Sequence, residues 1–291
     1  MNSIKGSWAA LITPFTKNDQ IDFAALERLL DMHLTAKTDG LVICGTTGES
    51  ATLNFDEKKA LMKAVTAKVA GKIAIMFGTG SNDTRATCEL TEKAADLGAE
   101  SVLVVTPYYN KPPQEGLKRH FKAVAASTSL PVVLYNVPGR TGCNMLADTT
   151  LELAEVSNIV AVKEASGNLE QAMEIIRRAP AGFTLLSGED ALNLPIMACG
   201  GVGTISVTAN VAPKMMKQFN DAALKGDWNT ARAIHFKLLE LHRGLFVETN
   251  PLPTKAALTN RGLISDFARL PLCQPSAITL ELMKKIATGL E

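Results

Sequence analysis

Residues 102–135 read VLVVTPYYNKPPQEGLKRHFKAVAASTSLPVVLY, in which two apolar runs begin about 30 positions apart. That spacing accommodates a strand, a helix and two short loops, and runs without polar alternation are typical of parallel strands covered on both faces. Six further runs have the same character: WAALI at 8–12, LVIC at 41–44, IAIMF at 73–77, IVAV at 159–162, FTLL at 183–186 and TISV at 204–207. Eight strand–helix units predict a (β/α)8 TIM barrel.

The intervals between these runs carry helix signals. Asp22 precedes a stretch with one apolar face, Asn54 and Glu57 have the spacing of a capping box, and Asn168 stands before LEQAMEII. After about residue 210 the chain predicts only helices, around PKMMKQFNDAAL, WNTARAIHFKLLELH and PSAITLELMKKIA. We therefore expect a barrel over 1–209 and an appended C-terminal helical region over 210–291, packed on the barrel or on a neighbouring subunit.

Composition excludes several classes of protein. The 291 residues are 46% hydrophobic, which suits a globular chain with a large core, and 30 Lys and Arg against 29 Asp and Glu provide no basic field for nucleic acid. Five cysteines without a C-x-x-C pair indicate neither a disulfide framework nor a zinc site. The apolar run in MNSIKGSWAALITPF is too short for a signal peptide, and no later stretch suits a membrane span, so we expect a cytoplasmic protein.

Barrel enzymes place their reacting groups where the strands end and in the loops that follow. These positions hold GTTGES at 45–50, TPYYN at 106–110, YNVPGR at 135–140, Lys163, SGED at 187–190 and TAN at 208–210. They contain no histidine, phosphate-binding glycine loop or set of metal ligands, so we expect neither a metal nor a cofactor. The acids near these ends, Glu49, Glu164, Glu189 and Asp190, each adjoin a turn, where capping explains them.

Lys163 follows the buried run IVAV, where an ammonium group is costly. A lysine amine is a nucleophile only without its proton, and desolvation at a barrel mouth favours that form, which makes a Schiff base with a ketone. The ordinary alternative is that Lys163 pairs with Glu164 or extends to solvent. Tyr135 ends the neighbouring strand, where its phenol can exchange a proton with the carbinolamine, so it favours the catalytic interpretation.

Two further features suit carboxylate substrates. Arg140 offers a planar fork of donors, and the turn Gly45–Gly48 offers hydroxyls and backbone N–H groups. Each of these features also has an ordinary alternative, because loop arginines often form surface ion pairs and such turns join many strands to helices. Tyr108 and Tyr109 likewise suit a packing or interface pair.

Five motifs together resemble the dihydrodipicolinate synthase family, within the superfamily of N-acetylneuraminate lyase and pyruvate-dependent class I aldolases: GTTGESATL at 45–53, VTPYYNKP at 105–112, YNVPGRTG at 135–142, VKEASGN at 162–168 and SGED at 187–190. The resemblance spans the whole chain. It implies that pyruvate condenses with L-aspartate 4-semialdehyde, giving 4-hydroxy-tetrahydrodipicolinate, the cyclic precursor of diaminopimelate and lysine. It also implies a homotetramer made of two tight dimers.

The resemblance further implies roles for two sets of residues. In the catalytic set, Lys163 forms the Schiff base and Tyr135, Thr46 and Tyr109 form a proton relay, to which Tyr109 is contributed across the tight dimer interface. The substrate-binding set is Thr47 for the pyruvate carboxylate, Arg140 for the semialdehyde carboxylate, and Gly188 and Ile205 for main-chain contacts.

A regulatory site follows from the same resemblance. Lysine-inhibited members bind lysine at the dimer interface, and four residues here match that site: Ser50, Ala51, Asn82 and Tyr108. Phe55, Lys58 and Ala86 stand where such members usually carry histidine, histidine and glutamate, so we expect weak or absent inhibition by lysine.

Two other functions remain open from the residues. One is a pyruvate-dependent aldolase or lyase acting on a 2-keto sugar acid such as N-acetylneuraminate. The second threonine of GTTGE and the arginine of YNVPGR favour a small amino-acid aldehyde over that class of substrate. The other is a barrel that only binds a ligand or serves as a scaffold, which would be expected to have lost Lys163 or Tyr135.

Overall fold

The computed structural model describes residues 4–288. Its strands follow one another in chain order around a closed barrel. They are β1 (Gly6–Ala10), β2 (Gly40–Ile43), β3 (Ala74–Gly78), β4 (Ser101–Val105), β5 (Val132–Asn136), β6 (Ile159–Glu164), β7 (Thr184–Ser187) and β8 (Gly203–Ser206). Each strand coincides with one apolar run to within two residues, and most strand residues are buried. The predicted (β/α)8 barrel is confirmed.

Helices follow the strands around the barrel. They are α1 (Phe23–Ala36), α2 (Phe55–Val69), α3 (Thr84–Glu92), α4 (Gln114–Ala126), α5 (Pro138–Thr141), α6 (Ala147–Leu153), α7 (Leu169–Arg178) and α8 (Asn193–Ala198). Beyond β8 come α9 (Pro213–Leu224), α10 (Trp228–Gly244), α11 (Leu252–Asn260) and α12 (Ala277–Thr288). The sequence predicts three of these last four helices and misses α11. Residues 252–258 are all buried, so that helix carries no polar face to mark its period.

The three predicted helix starts are confirmed by their caps. Asp22 accepts a hydrogen bond from Ala25 N at 2.9 Å at the start of α1, and Asn168 accepts one from Gln171 N at 3.0 Å before α7. Asn54 and Glu57 form both bonds of a capping box on α2, each 2.9 Å long. These local bonds satisfy N–H groups that the first helical turn leaves without partners.

β6 continues one residue past Lys163, because Glu164 still pairs with Asn136 of β5 and Ser187 of β7. Side chains alternate along a strand, so Lys163 and Glu164 face opposite sides of the sheet. This geometry separates the lysine from the carboxylate that is its nearest neighbour in sequence.

Contacts between Cα atoms group the chain into two compact units. The first unit is Ile75–Ile205 with the N-terminal segment that ends at Gly6, and the second is Ser7–Ala74 with the chain from Ser206 onward. The predicted division into a barrel over 1–209 and a helical region over 210–291 stays a prediction. Over residues 4–288, no helix combines the length and apolar character needed to cross a membrane.

Candidate active site

Lys163 and Tyr135 lie side by side in the first unit. The parallel register of β5 and β6 pairs the two residues directly, and Lys163 Nζ lies 4.2 Å from the centroid of the Tyr135 ring. Only 5% of Lys163 and 7% of Tyr135 are exposed. The structure thus brings the expected nucleophile and its expected proton-exchange partner together, away from bulk water.

Gly188, just after β7, leaves the space that the Lys163 side chain occupies. A Cβ atom at residue 188 would lie 2.8 Å from Lys163 Cε and 2.9 Å from both Lys163 Cγ and Ala165 Cβ. Carbon atoms without a bond between them pack at about 3.5–4.0 Å, so no side chain fits there without a shift. The backbone is held in place because Gly188 N donates to Glu164 O at 2.8 Å.

Two acids follow Gly188 along the chain. Burial is the main cause that raises the pKa of Glu189; the Asp190 carboxylate adds to this effect, and the nearby charge of Lys163 opposes it. Asp190 Oδ1 accepts a hydrogen bond from Asn193 Nδ2 at 3.0 Å. Glu189 precedes a short helical turn, and a hydrogen bond from the backbone of Ala191 in that turn to its carboxyl group also opposes the rise in its pKa.

The Glu164 carboxylate is buried in a polar network behind the lysine. Its oxygens accept hydrogen bonds from Asn136 Nδ2 at 3.1 and 3.3 Å, Ser166 N at 2.7 Å and Gln171 Nε2 at 3.1 Å. Residues 4–288 contain no ion pair between Glu164 and Lys163, so pairing with Glu164 does not explain the lysine. Because Asn136 is on β5 and Glu164 on β6, the network fixes the two strand ends that carry Tyr135 and Lys163.

Tyr109 differs from the residues around Lys163, because 88% of its surface is exposed. Its φ of +72° lies in the left-handed region that a tyrosine rarely adopts. The loop that carries it is anchored nearby, since Cys143 Sγ donates to Pro107 O at 3.2 Å and Asn110 Nδ2 donates to Asn82 O at 2.9 Å. A strained, exposed aromatic residue on an anchored loop is typical of a functional or contact position.

The remaining predicted residues of this unit lie on neighbouring elements. Arg140 is exposed on α5, where its N donates to Val137 O at 2.9 Å. Ile205 is fully buried on β8, one position beyond the Ser187–Thr204 register pair. Their substrate contacts stay predictions.

Thr46 and Thr47 lie in the second unit, in the turn that follows β2. Gly48 N donates to Gly45 O and Glu49 N donates to Thr46 O, both at 3.0 Å, which closes the turn. Thr46 is partly exposed and Thr47 is buried. Thr47 Oγ1 accepts a hydrogen bond from Asn250 Nδ2 at 2.9 Å.

A buried ion pair holds the same turn. Lys255 Nζ lies 2.5 Å from Glu49 Oε1, and neither side chain is more than 1% exposed. Burial lowers the pKa of the Lys255 amine, and the Glu49 carboxylate opposes that change. Glu49 makes no capping bond with its side chain, so the capping explanation is wrong for this residue. The sequence does not predict that Asn250 and Lys255 contact this turn, because about 200 residues separate them from it and no local pattern indicates such a contact.

The four residues of the expected regulatory site divide between the units. Asn82 is half-buried and Tyr108 exposed in the first unit, and Ser50 is half-buried and Ala51 exposed in the second. Over residues 4–288, no group of three or more His, Cys, Asp or Glu side chains is arranged to hold a metal ion.

Comparison with known proteins identifies the family. The family model described as "Dihydrodipicolinate synthetase family" matches residues 3–288. The 4-hydroxy-tetrahydrodipicolinate synthase of Geobacter metallireducens is 46% identical over 282 residues, 97% of each chain, and that of Pseudomonas syringae is 49% identical over 269 residues, 92% of each chain. The crystal structure of a chloride-inhibited dihydrodipicolinate synthase from Acinetobacter baumannii, complexed with pyruvate, superposes with a TM-score of 0.97 at 41% identity, covering 99% of each chain. The chain belongs to the dihydrodipicolinate synthetase family.

Proposed function

We propose that this chain is a 4-hydroxy-tetrahydrodipicolinate synthase, which condenses pyruvate with L-aspartate 4-semialdehyde through a Schiff base on Lys163. The observation that carries the proposal is the buried Lys163 amine against the Tyr135 ring, at paired strand ends of a barrel of this family. Relatives of the chain with 46% and 49% identity carry this activity in their names, which favours it over a lyase for 2-keto sugar acids.

In the proposed reaction, the neutral Lys163 amine attacks the ketone carbon of pyruvate. Loss of water from the carbinolamine gives an imine, and loss of a methyl proton gives an enamine. The enamine carbon attacks the aldehyde of the semialdehyde and forms the new carbon–carbon bond. The amino group of that substrate then attacks the imine carbon, which closes the ring and releases the lysine. No oxidant, reductant or cofactor is needed.

The other residues divide the work in this proposal. Tyr135, Thr46 and Tyr109 move protons during formation and loss of the carbinolamine. The substrate contacts are Thr47 for the pyruvate carboxylate, Arg140 for the semialdehyde carboxylate, and the main chains of Gly188 and Ile205.

The exposure of Tyr109 supports an assembly in which this ring acts beside a second copy of the chain. The proposed assembly is a homotetramer of two tight dimers. The proposed compartment is the cytoplasm, where all five cysteines would remain the free thiols that they are here. In this proposal, lysine inhibits weakly or not at all, although four residues match the family's regulatory site: Ser50, Ala51, Asn82 and Tyr108.

Borohydride trapping tests the proposal. Incubation with pyruvate and borohydride should reduce the imine and leave a stable adduct on the peptide that contains Lys163. The peptide with Lys255, the other deeply buried lysine, serves as the matched control and should stay unlabelled. Lys163→Arg should abolish labelling. Labelling at Lys255, or none on the folded protein, would refute the proposal.

A further inference from the structure

The contact between Asn250 and Thr47 joins the segment before α11 to the turn after β2. Asn250 immediately precedes the Pro251 N-cap of α11, and only 5% of Asn250 and 3% of Thr47 are exposed. Asn250 Nδ2 lies 2.9 Å from Thr47 Oγ1. Thr254 Oγ1, one turn into α11, donates to Asn250 Oδ1 at 3.3 Å. Thr254 thereby turns the amide oxygen away from Thr47 and presents the NH2 group to it.

The direction of this hydrogen bond constrains the Thr47 proton. An amide NH2 group only donates, so Thr47 Oγ1 is the acceptor in this bond. The single hydroxyl proton of Thr47 must then point to another partner. We propose that Asn250 is a positioning residue that fixes the Thr47 hydroxyl as a hydrogen-bond donor, ready for the carboxylate of the keto acid. This inference rests on the proposed function, in which Thr47 binds that carboxylate.

Several contacts other than the bond from Asn250 hold the turn in position. The turn is closed by its own backbone bonds, Thr13 Oγ1 donates to Gly48 O at 2.7 Å, and the Lys255–Glu49 ion pair holds its far end. Asn250 therefore adds the orientation of one hydroxyl proton to a turn that is already in place. Its replacement should weaken the binding of an anionic ligand more than it disturbs the fold.

Asn250→Asp is the sharpest test, because it keeps the shape and reverses the polarity of the contact. An ionised carboxylate accepts the Thr47 proton and leaves a lone pair facing the substrate anion. We expect the KM for pyruvate to rise about 10- to 100-fold, the loss typical of a hydrogen bond to a charged group. The KM for the semialdehyde should change less than about threefold. The ratio of variant to wild-type KM for pyruvate should fall as pH is lowered, because the introduced carboxyl group regains a donor when it is protonated.

A double-mutant cycle covers the case in which Asn250→Asp fails to fold. Thr47→Val removes the hydroxyl, and Asn250→Ala removes its donor. If Asn250 acts through Thr47, Asn250→Ala should raise the KM for pyruvate when it is made in the wild type. Made in the Thr47→Val variant, it should change the KM of that variant by less than about twofold. Equal effects in both backgrounds would overturn the inference.

The outcomes separate this inference from the function on which it rests. If pyruvate and borohydride do not label wild-type Lys163, the proposed function fails, and the inference fails with it. If wild-type Lys163 is labelled while Asn250→Asp keeps the wild-type KM for pyruvate at neutral pH, only the inference fails.

Discussion

Gly188→Ala should greatly lower the rate of Schiff-base formation while the protein stays folded. The new methyl group would lie 2.8 Å from Lys163 Cε and 2.9 Å from Lys163 Cγ. Since such carbons pack at 3.5 Å or more, the overlap is about 0.7 Å, which is 3.5 minus 2.8. The lysine stem is the movable partner, because the third contact, with Ala165 Cβ, lies on a short side chain. A displacement near 1 Å costs about 100-fold in rate, and overpacking costs about 1–3 kcal/mol of unfolding free energy.

The assay is the rate of borohydride trapping with pyruvate, measured beside thermal unfolding. Gly139→Ala is the matched control, because a Cβ there meets nothing within 4 Å. We expect trapping to fall about 100-fold in Gly188→Ala and to stay at the wild-type rate in Gly139→Ala. A folded Gly188→Ala protein that is labelled at the wild-type rate would show that residue 188 does not confine the lysine.

Three further outcomes follow from the structure. Lys255→Met should lower the unfolding free energy, measured in urea, by about 3–5 kcal/mol, because it leaves the buried Glu49 carboxylate without its cation. Adding Glu49→Gln to this variant should recover part of the loss, and strictly additive losses would contradict the prediction. Burial lowers the pKa of His33 and of His120 to about 4, so the unfolded chain takes up these protons at higher pH than the folded one. As pH is lowered from 6.5 to about 4, the unfolding free energy should therefore fall by about 3 kcal/mol per histidine. Replacing both histidines with glutamine should make the unfolding free energy less dependent on pH in this range, and an unchanged dependence would contradict the prediction. L-Lysine should inhibit steady-state turnover weakly or not at all, since the expected site lacks a carboxylate for its cation, and half-inhibition at submillimolar lysine would refute that expectation.

The sequence predicts the features that depend on local chemistry. Apolar runs set the strands, and Asp22, Asn54 and Asn168 set helix starts through bonds that span three residues. The pairing of Tyr135 with Lys163 is also predictable, because consecutive parallel strands end at the same edge of the sheet.

Polar contacts between residues far apart in the chain leave no local pattern in the sequence from which they could be predicted. The partners of Glu49 and Thr47 come from α11 and the residue before its cap, some 200 positions away, and α11 itself lacks an amphipathic period because it is buried on every side. Glu164 adjoins a turn, as expected, yet its carboxylate also bonds side chains from β5 and α7. Such networks become visible only when the fold places their members together.

The Lys255–Glu49 pair also sets an order of events during synthesis. The lysine is translated 206 residues after the carboxylate, which is 255 minus 49. Ribosomes add about 5–20 residues per second, so Lys255 is synthesised about 10–40 s after Glu49. Until then Glu49 has no Lys255 to pair with, so the buried ion pair that holds this turn forms only after α11 has been synthesised.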